Sequence, residues 1–114
     1  MDAAKLNLNR DFRRLYGRGK CFVHPLLVTY IITNRKGSVR YGITTGKKVG
    51  CAVQRNRARR VIDAAFRETL KSVEVSGADV VFVARTKTVE AKSQDIAAVM
   101  TKHFKLGGLI PSET

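Results

Sequence analysis

The chain has 114 residues, of which 44% are hydrophobic and 27% charged, enough apolar material for one folded domain and too much for a disordered tail. Lysine and arginine number 22 against 9 aspartate and glutamate, so the formal net charge is +13. Such an excess of positive charge favours a polyanionic partner, above all a nucleic acid.

The positive charge is concentrated in the N-terminal half of the chain. Residues 12–62 contain 13 lysine and arginine residues and no acidic residue, whereas the remaining 9 basic residues are balanced by all 9 acidic ones. Because an ordinary surface mixes charges of both signs, this distribution indicates a dedicated nucleic-acid surface.

The compartment is predicted from the N-terminus and from the longest apolar stretch. The first twelve residues, MDAAKLNLNRDF, lack the apolar core of a signal peptide. The apolar stretch 26–32 is far shorter than the roughly 20 residues that span a bilayer. We therefore expect a cytoplasmic protein with no membrane association, in which Cys21 and Cys51 are free, half-buried thiols.

A short helix is predicted first. Asn9 is a suitable N-cap, Phe12, Leu15 and Tyr16 follow at helical spacing, and the helix is expected to end by Gly19.

Strands are predicted next. Residues 21–24 and 26–33 are rich in β-branched and aromatic side chains and indicate two strands, or one bent strand, interrupted at Pro25. A polar turn at 34–38 leads to alternating residues at 39–45, which we expect to form a hairpin with the preceding strand.

A long amphipathic helix is predicted over residues 53–70. Its apolar side carries Ala58, Val61, Ile62, Ala65, Phe66 and Thr69 or Leu70, and its opposite side carries Asn56, Arg60 and Arg67, with Arg57 beside them and Arg59 at the border. The nearly continuous apolar run at 79–85 predicts a central strand. A last helix runs from Ser93, its expected N-cap, to Gly107. The fold class is therefore α+β, in the order αβββαβα, with a four-stranded sheet.

Several kinds of chemistry are not supported by the motifs. The segment from Gly42 to Lys48 has glycines one residue too close for a phosphate-binding loop. His24 and His103 are isolated, and Cys21 with His24 supplies only two potential metal ligands. A metal-dependent nuclease needs clustered carboxylates, which the basic half lacks. We expect no catalytic residue and no metal site in this protein.

Two sets of residues are candidates for binding nucleic acid. Arginine side chains on successive turns of a helix suit phosphates, and the candidate set is Lys47, Lys48, Arg55, Asn56, Arg57, Arg59 and Arg60. Aromatic side chains could stack on unpaired bases, and among Phe12, Phe22, Tyr41, Tyr16 and Tyr30 the last two are the better candidates for exposure.

The segment KKVGCAVQRNRARRVIDAAFRE resembles the signature of the bacterial ribonuclease P protein subunit. The segments NRDFRRLYGRG, YGITTGKKVG and GADVVFVAR resemble other parts of that family, so the resemblance extends from about Leu6 to Phe104. One departure is Cys51, where the family usually has Asn.

The resemblance implies a subunit of a tRNA-processing endoribonuclease, a hydrolase whose catalytic RNA removes the 5′ leader of precursor tRNA. The arginine-rich helix would bind the RNA subunit through Lys47, Lys48, Arg55, Asn56, Arg57, Arg59 and Arg60. The leader of precursor tRNA would lie in a cleft between the sheet and the first helix, against Phe12, Tyr16 and Tyr30.

The resemblance also implies several broader properties. Mg²⁺ would be held by RNA phosphates, with no cofactor held by the protein itself. Residues 1–114 would form a single RNA-binding domain with an ordered core at about 6–106, monomeric outside the ribonucleoprotein. Its fold would resemble domain 2 of ribosomal protein S5, with a left-handed βαβ crossover, contrary to the usual right-handed rule.

Two alternatives remain from the sequence. A ribosomal or other small RNA-binding protein could use the same two surfaces, and a stand-alone protein nuclease would require catalytic groups that the motifs do not supply. Indifference to the 5′ leader would indicate the first, and cleavage by the protein alone would indicate the second.

Overall fold

The computed structural model describes residues 3–6, 8–34 and 37–110, which form three helices and five strands. The helices are α1 (Asn9–Arg18), α2 (Ala52–Ser72) and α3 (Ser93–Leu106), and the strands are β1 (Ala3–Lys5), β2 (Lys20–His24), β3 (Leu27–Thr33), β4 (Val39–Thr44) and β5 (Ala78–Ala84). Short 3₁₀ turns, Lys47–Val49 and Thr86–Glu90, precede α2 and α3. Among the described residues, none of the helices has the length and hydrophobicity of a membrane-spanning segment.

The sheet has the order β1-β4-β5-β3-β2, with β5 in the centre. β5 pairs antiparallel with β3 and parallel with β4, so that β4, α2 and β5 form a parallel crossover unit. The left hand of this crossover stays an expectation from the resemblance. The predicted α+β class and the central position of the 79–85 strand are confirmed.

The predicted hairpin between β3 and β4 is wrong, because β5 lies between them. Six of the seven residues of β5 are buried, the exception being the half-buried Val83, so that the strand would lose burial at an edge of the sheet. A strand that is apolar on both faces is most stable in the centre of a sheet. The hairpin that does form joins β2 to β3.

The sheet also has a fifth strand that the sequence pattern did not indicate. β1 has only three residues, two of them exposed, and pairs parallel with the first half of β4. A strand of this length leaves no measurable alternation in the sequence, which is why four strands were predicted.

Each face of the sheet carries its own apolar cluster, because alternate residues of a strand point to opposite faces. On one face, Tyr41 and Phe82 pack with Phe66 of α2 and Phe104 of α3, and the ring centroids of Phe66 and Phe82 are 5.1 Å apart. On the other face, the fully buried Leu15 of α1 packs with Val81. The sheet therefore separates α1 from α2 and α3.

The N-caps of two helices and the exposure of two cysteines differ from the predictions. α1 begins at Asn9 and α3 at Ser93, so the N-caps are the residues before them and neither helix has a side-chain cap. Cys21 and Cys51 are exposed rather than half-buried. Cys21 lies on the edge strand β2 and Cys51 is the N-cap of α2, and both positions face solvent.

The two histidines are not isolated. The ring of His103 is buried, stacks on Phe22 and lies 6.5 Å from the ring of His24, measured between centroids. Nδ1 of His103 lies 2.8 Å from Oγ1 of the buried Thr29. Burial, with a smaller contribution from His24, lowers the pKa of His103 from 6.5 to about 4.

We predict that His103 makes the fold sensitive to mild acid. Between pH 6.5 and 4 the unfolded chain binds a proton at this position that the folded chain does not. The free energy of unfolding should therefore fall as the pH is lowered, and at pH 4 it should be on the order of 3 kcal/mol smaller than at neutral pH. Urea unfolding measured between pH 5 and 7 checks the slope.

The matched variants are His103→Gln and His24→Gln. Glutamine at position 103 keeps a hydrogen-bonding group near Thr29 but does not titrate, so this variant should flatten the slope, whereas His24→Gln should retain it. An unchanged slope in His103→Gln would contradict the assignment.

Candidate nucleic-acid interface

A cleft lies at the open edge of β4. β1 ends at Lys5, opposite Tyr41, whereas β4 continues to Thr44. α1 flanks this edge on one face of the sheet and α2 on the other. The space between them is a cleft of about 650 Å³, with Lys5, Phe12, Thr44 and Arg59 among its lining residues.

The aromatic wall of the cleft comes from α1. Phe12 approaches β4 so closely that a Cβ atom on Gly42 would lie 2.5 Å from its Cζ atom, and only glycine leaves room for this ring. Tyr16 is 43% exposed, and its hydroxyl group donates a hydrogen bond of 3.3 Å to Oγ1 of Thr44. The two rings thus line a slot open to solvent.

Tyr30 lies outside the residues that line this cleft. It is half-buried on β3, and its ring meets the ring of Tyr16 edge to face at a centroid distance of 5.0 Å. The three predicted aromatic residues therefore lie together, but Phe12 and Tyr16 form the wall and Tyr30 supports Tyr16.

The floor of the cleft contains a hydrogen-bonded cluster centred on the carboxylate of Asp63. The hydroxyl group of Tyr41 donates to Oδ1 of Asp63 at 2.7 Å, and Nη2 of Arg67 lies 3.1 Å from Oδ2 of the same carboxylate. Burial, and then the carboxylate, raise the pKa of Tyr41 to about 12. Tyr41 therefore contributes a neutral hydroxyl group to the floor, and its ring belongs to the core.

Arg59 faces the cleft. Its Nη1 atom donates a hydrogen bond of 3.0 Å to the backbone oxygen of Ile43, on the open edge of β4. Lys5 and Arg60 also line the cleft, so three cations share it with the aromatic wall. The sequence placed Arg59 at the border of the apolar stripe, and the structure places it apart from most of the other candidate cations.

The cationic face of α2, defined as Lys47, Lys48, Arg55, Asn56, Arg57 and Arg60, lies at the start of the helix. All are exposed except the half-buried Arg55. Among the described residues, none of these cations forms an ion pair. Their charge is thus available to a polyanion.

Arg57 is held in place by the 3₁₀ turn before α3, because its Nε atom donates a hydrogen bond of 2.7 Å to the backbone oxygen of Val89. A groove of about 550 Å³ runs beside it, with Arg60, Glu90 and Lys92 among its lining residues. Arg60 therefore lies between the groove and the cleft, and it borders both.

Cys51 is the N-cap of α2, where asparagine would be a strong cap. Its backbone N–H donates a hydrogen bond of 2.9 Å to Oε1 of Gln54. Hydrogen bonds from the backbone N–H groups of Gln54 and Val53 lower the pKa of the Cys51 thiol. The thiol therefore occupies the capping position, and the helix begins at Ala52, one residue before the predicted start.

One polar cluster was missed from the sequence. Asp79 is 2% exposed on β5 and accepts hydrogen bonds from Arg40 of β4, at 2.9 and 2.6 Å, and from Nδ2 of Asn34, at 3.0 Å. Nη2 of Arg14, on α1, donates to the same carboxylate. The available signal was a lone acid at the start of an otherwise apolar strand.

The described residues contain no group of three or more His, Cys, Asp or Glu side chains that could hold a metal ion. The one carboxylate in the lining of the cleft, Asp63, is engaged by Tyr41 and Arg67. The lining of the cleft thus combines cationic side chains with aromatic rings.

Comparison with solved structures supports the fold. A Staphylococcus aureus RNase P protein superposes with a TM-score of 0.78 and 25% identity, over 96% of this chain and 99% of that chain. A S. aureus RNase P protein mutant with defective mRNA degradation activity matches with a TM-score of 0.72 and 27% identity, over 93% and 88% of the two chains.

Comparison of sequences identifies the family. The ribonuclease P protein component of Clostridium botulinum (strain Loch Maree / Type A3) is 37% identical over 109 residues, 96% of this chain and 98% of that protein. The family model described as Ribonuclease P matches residues 1–106. With its fold, its cationic helix and its cleft, this chain belongs to the ribonuclease P protein family.

Proposed function

We propose that this protein binds the catalytic RNA of bacterial ribonuclease P through the cationic face of α2 and holds the 5′ leader of precursor tRNA in the cleft. The observation that carries the proposal is the separation of two nucleic-acid surfaces by one helix. The groove beside Arg57 lies on one side of α2 and the aromatic cleft lies on the other, with Arg60 at the border of both.

The cationic face suits a folded RNA. Its guanidinium groups have no carboxylate partner within the described residues, and mutual repulsion is relieved when phosphates bind. Planar guanidinium groups engage phosphate oxygens in pairs, and the amide of Asn56 can reach a sugar or a base edge.

The cleft suits an unpaired strand. Phe12 and Tyr16 offer ring surfaces to bases, and Lys5 and Arg59 offer charge to the backbone that connects those bases. Stacking of this kind tolerates any base, as a leader of variable sequence requires. Tyr30 contributes indirectly, through its contact with Tyr16.

The chemical step belongs to the RNA in this proposal. Mg²⁺ held by RNA phosphates would assist the hydrolysis, with no ligand from the protein. The protein contributes affinity and orientation, and lowers the cation concentration that the RNA needs. It would act in the cytoplasm, as a monomer before assembly.

A double variant tests the RNA surface. Arg57→Ala with Arg60→Ala should weaken binding to ribonuclease P RNA by about tenfold or more, and should reduce the slope of log affinity against log salt by roughly 1 for each lost phosphate contact. Filter binding with the RNA alone, across a salt series, measures both quantities.

The control for this variant is Lys71→Ala with Lys102→Ala, which removes two charges from exposed positions at the end of α2 and on α3. It should change affinity much less. Equal losses in the two double variants would mean that only total charge matters and would overturn the placement of the interface.

A second variant tests the cleft. Tyr16→Ala should reduce the preference of the reconstituted ribonucleoprotein for tRNA with a leader over tRNA without one, because a stacked base contributes about 1–3 kcal/mol. Tyr16→Phe keeps the ring and loses only the bond to Thr44, so it should retain most of the preference.

The readout is the ratio of the two dissociation constants, with the affinity for the catalytic RNA measured alongside. An unchanged ratio in Tyr16→Ala would remove this residue from the leader site. Loss of the folded state would instead identify Tyr16 as part of the core.

A second candidate function is degradation of mRNA, because the solved S. aureus RNase P protein mutant is described as defective in that activity. Incubating the purified protein with mRNA, with and without Mg²⁺, tests it. Cleavage that survives removal of all copurifying RNA would establish a nuclease activity of the protein itself.

A further inference from the structure

The buried carboxylate of Asp79 joins four segments of the fold. It lies on the central strand β5 and receives hydrogen bonds from Arg14 on α1, Arg40 on β4 and Asn34 after β3. Burial raises the pKa of Asp79, but hydrogen bonds from Arg40 and Asn34 and the charges of Arg40 and Arg14 outweigh this effect and lower it. Asp79 is therefore an anion at neutral pH.

Two of these segments line the cleft. α1 supplies Phe12 and Tyr16 in one wall, and Arg14, which reaches Asp79, lies between them in the sequence of the helix. β4 supplies Gly42 and Thr44 in the floor. One carboxylate thus links this wall and the floor to the centre of the sheet.

α1 has ten residues, too short to be stable as an isolated helix, and Leu15 is its only fully buried residue. Phe12 and Tyr16 also contact the sheet, through packing and through the hydrogen bond to Thr44, but these are the side chains that would accept bases. The ion pair between Arg14 and Asp79 holds α1 on the same face of the sheet without using either aromatic ring.

We infer that Asp79 is a positioning residue for recognition of the leader: through Arg14 and Arg40 it holds α1 at a fixed distance from β4, so that Phe12 and Tyr16 are preorganised to accept bases. This inference rests on the proposed function of the cleft. Preorganisation improves affinity because fewer side chains must be ordered when the ligand binds.

The decisive comparison is Arg14→Gln against Arg13→Gln. Both remove one charge from α1 at an exposed residue, but Arg14 pairs with Asp79, whereas Arg13 has no ion pair among the described residues. Each variant is assembled with ribonuclease P RNA, and dissociation constants are measured for tRNA with and without a 5′ leader.

Arg14→Gln should lower the preference for the leader by roughly three- to thirtyfold relative to Arg13→Gln, as expected when one network of polar contacts is broken. Affinity for the catalytic RNA should be equal in the two variants. Amide hydrogen exchange in α1 of the free protein should be faster in Arg14→Gln, a change that loss of a direct contact between Arg14 and RNA would not produce.

Asp79→Asn completes a double-mutant cycle. If Arg14 acts through Asp79, the effects of the two substitutions on leader preference should not be additive. A circular dichroism spectrum like that of the wild type shows that the Asp79→Asn variant folds. Equal leader preference in Arg14→Gln and Arg13→Gln, or full additivity with Asp79→Asn, would overturn the inference. Absence of any leader preference in the wild type would instead refute the proposed function of the cleft, and with it the inference.

Discussion

The burial of β5 on both faces is the constraint on which both proposed nucleic-acid surfaces depend. Phe82, on one face, packs against α2 and α3, whereas Val81 and Asp79, on the other, hold α1. Because β5 occupies the centre, β4 is displaced towards the edge of the sheet, where the short strand β1 covers only its first half. The uncovered half of β4 is the floor of the cleft, and α1 and α2 become its walls.

The uneven distribution of charge has two consequences. Two cations of the N-terminal half, Arg14 and Arg40, form ion pairs with Asp79, which lies in the C-terminal half. The cations of α2 that precede Asp63 have no such partner within the described part of the chain. A surface of like charges destabilises the free protein and is relieved by a polyanion, so that folding and RNA binding should reinforce each other.

The sequence predicted the elements whose signal is long and periodic. The apolar stripe of α2, with Ala58, Ile62 and Phe66, and the continuous apolar run of β5 led directly to the α+β class. The pairing of the strands was harder to predict than their positions. β3 and β4 are adjacent in sequence, yet β5 lies between them in the sheet, and no local sequence pattern indicates this insertion. At the site, the sequence predicted which residue types are present but not which of them line the cleft. Arg59 turns towards Ile43 only because of the rotation that α2 adopts when it packs on the sheet.

In the proposed function, the protein supplies binding and orientation while the RNA supplies the chemistry. The most direct test is cleavage of a precursor tRNA at low Mg²⁺ by bacterial ribonuclease P RNA, with and without this protein, alongside the protein alone and a leaderless tRNA as competitor. We expect stimulation only when both RNA and protein are present, with weak inhibition by the leaderless competitor. Tight, salt-sensitive RNA binding without stimulation, or cleavage by the protein alone, would contradict the account.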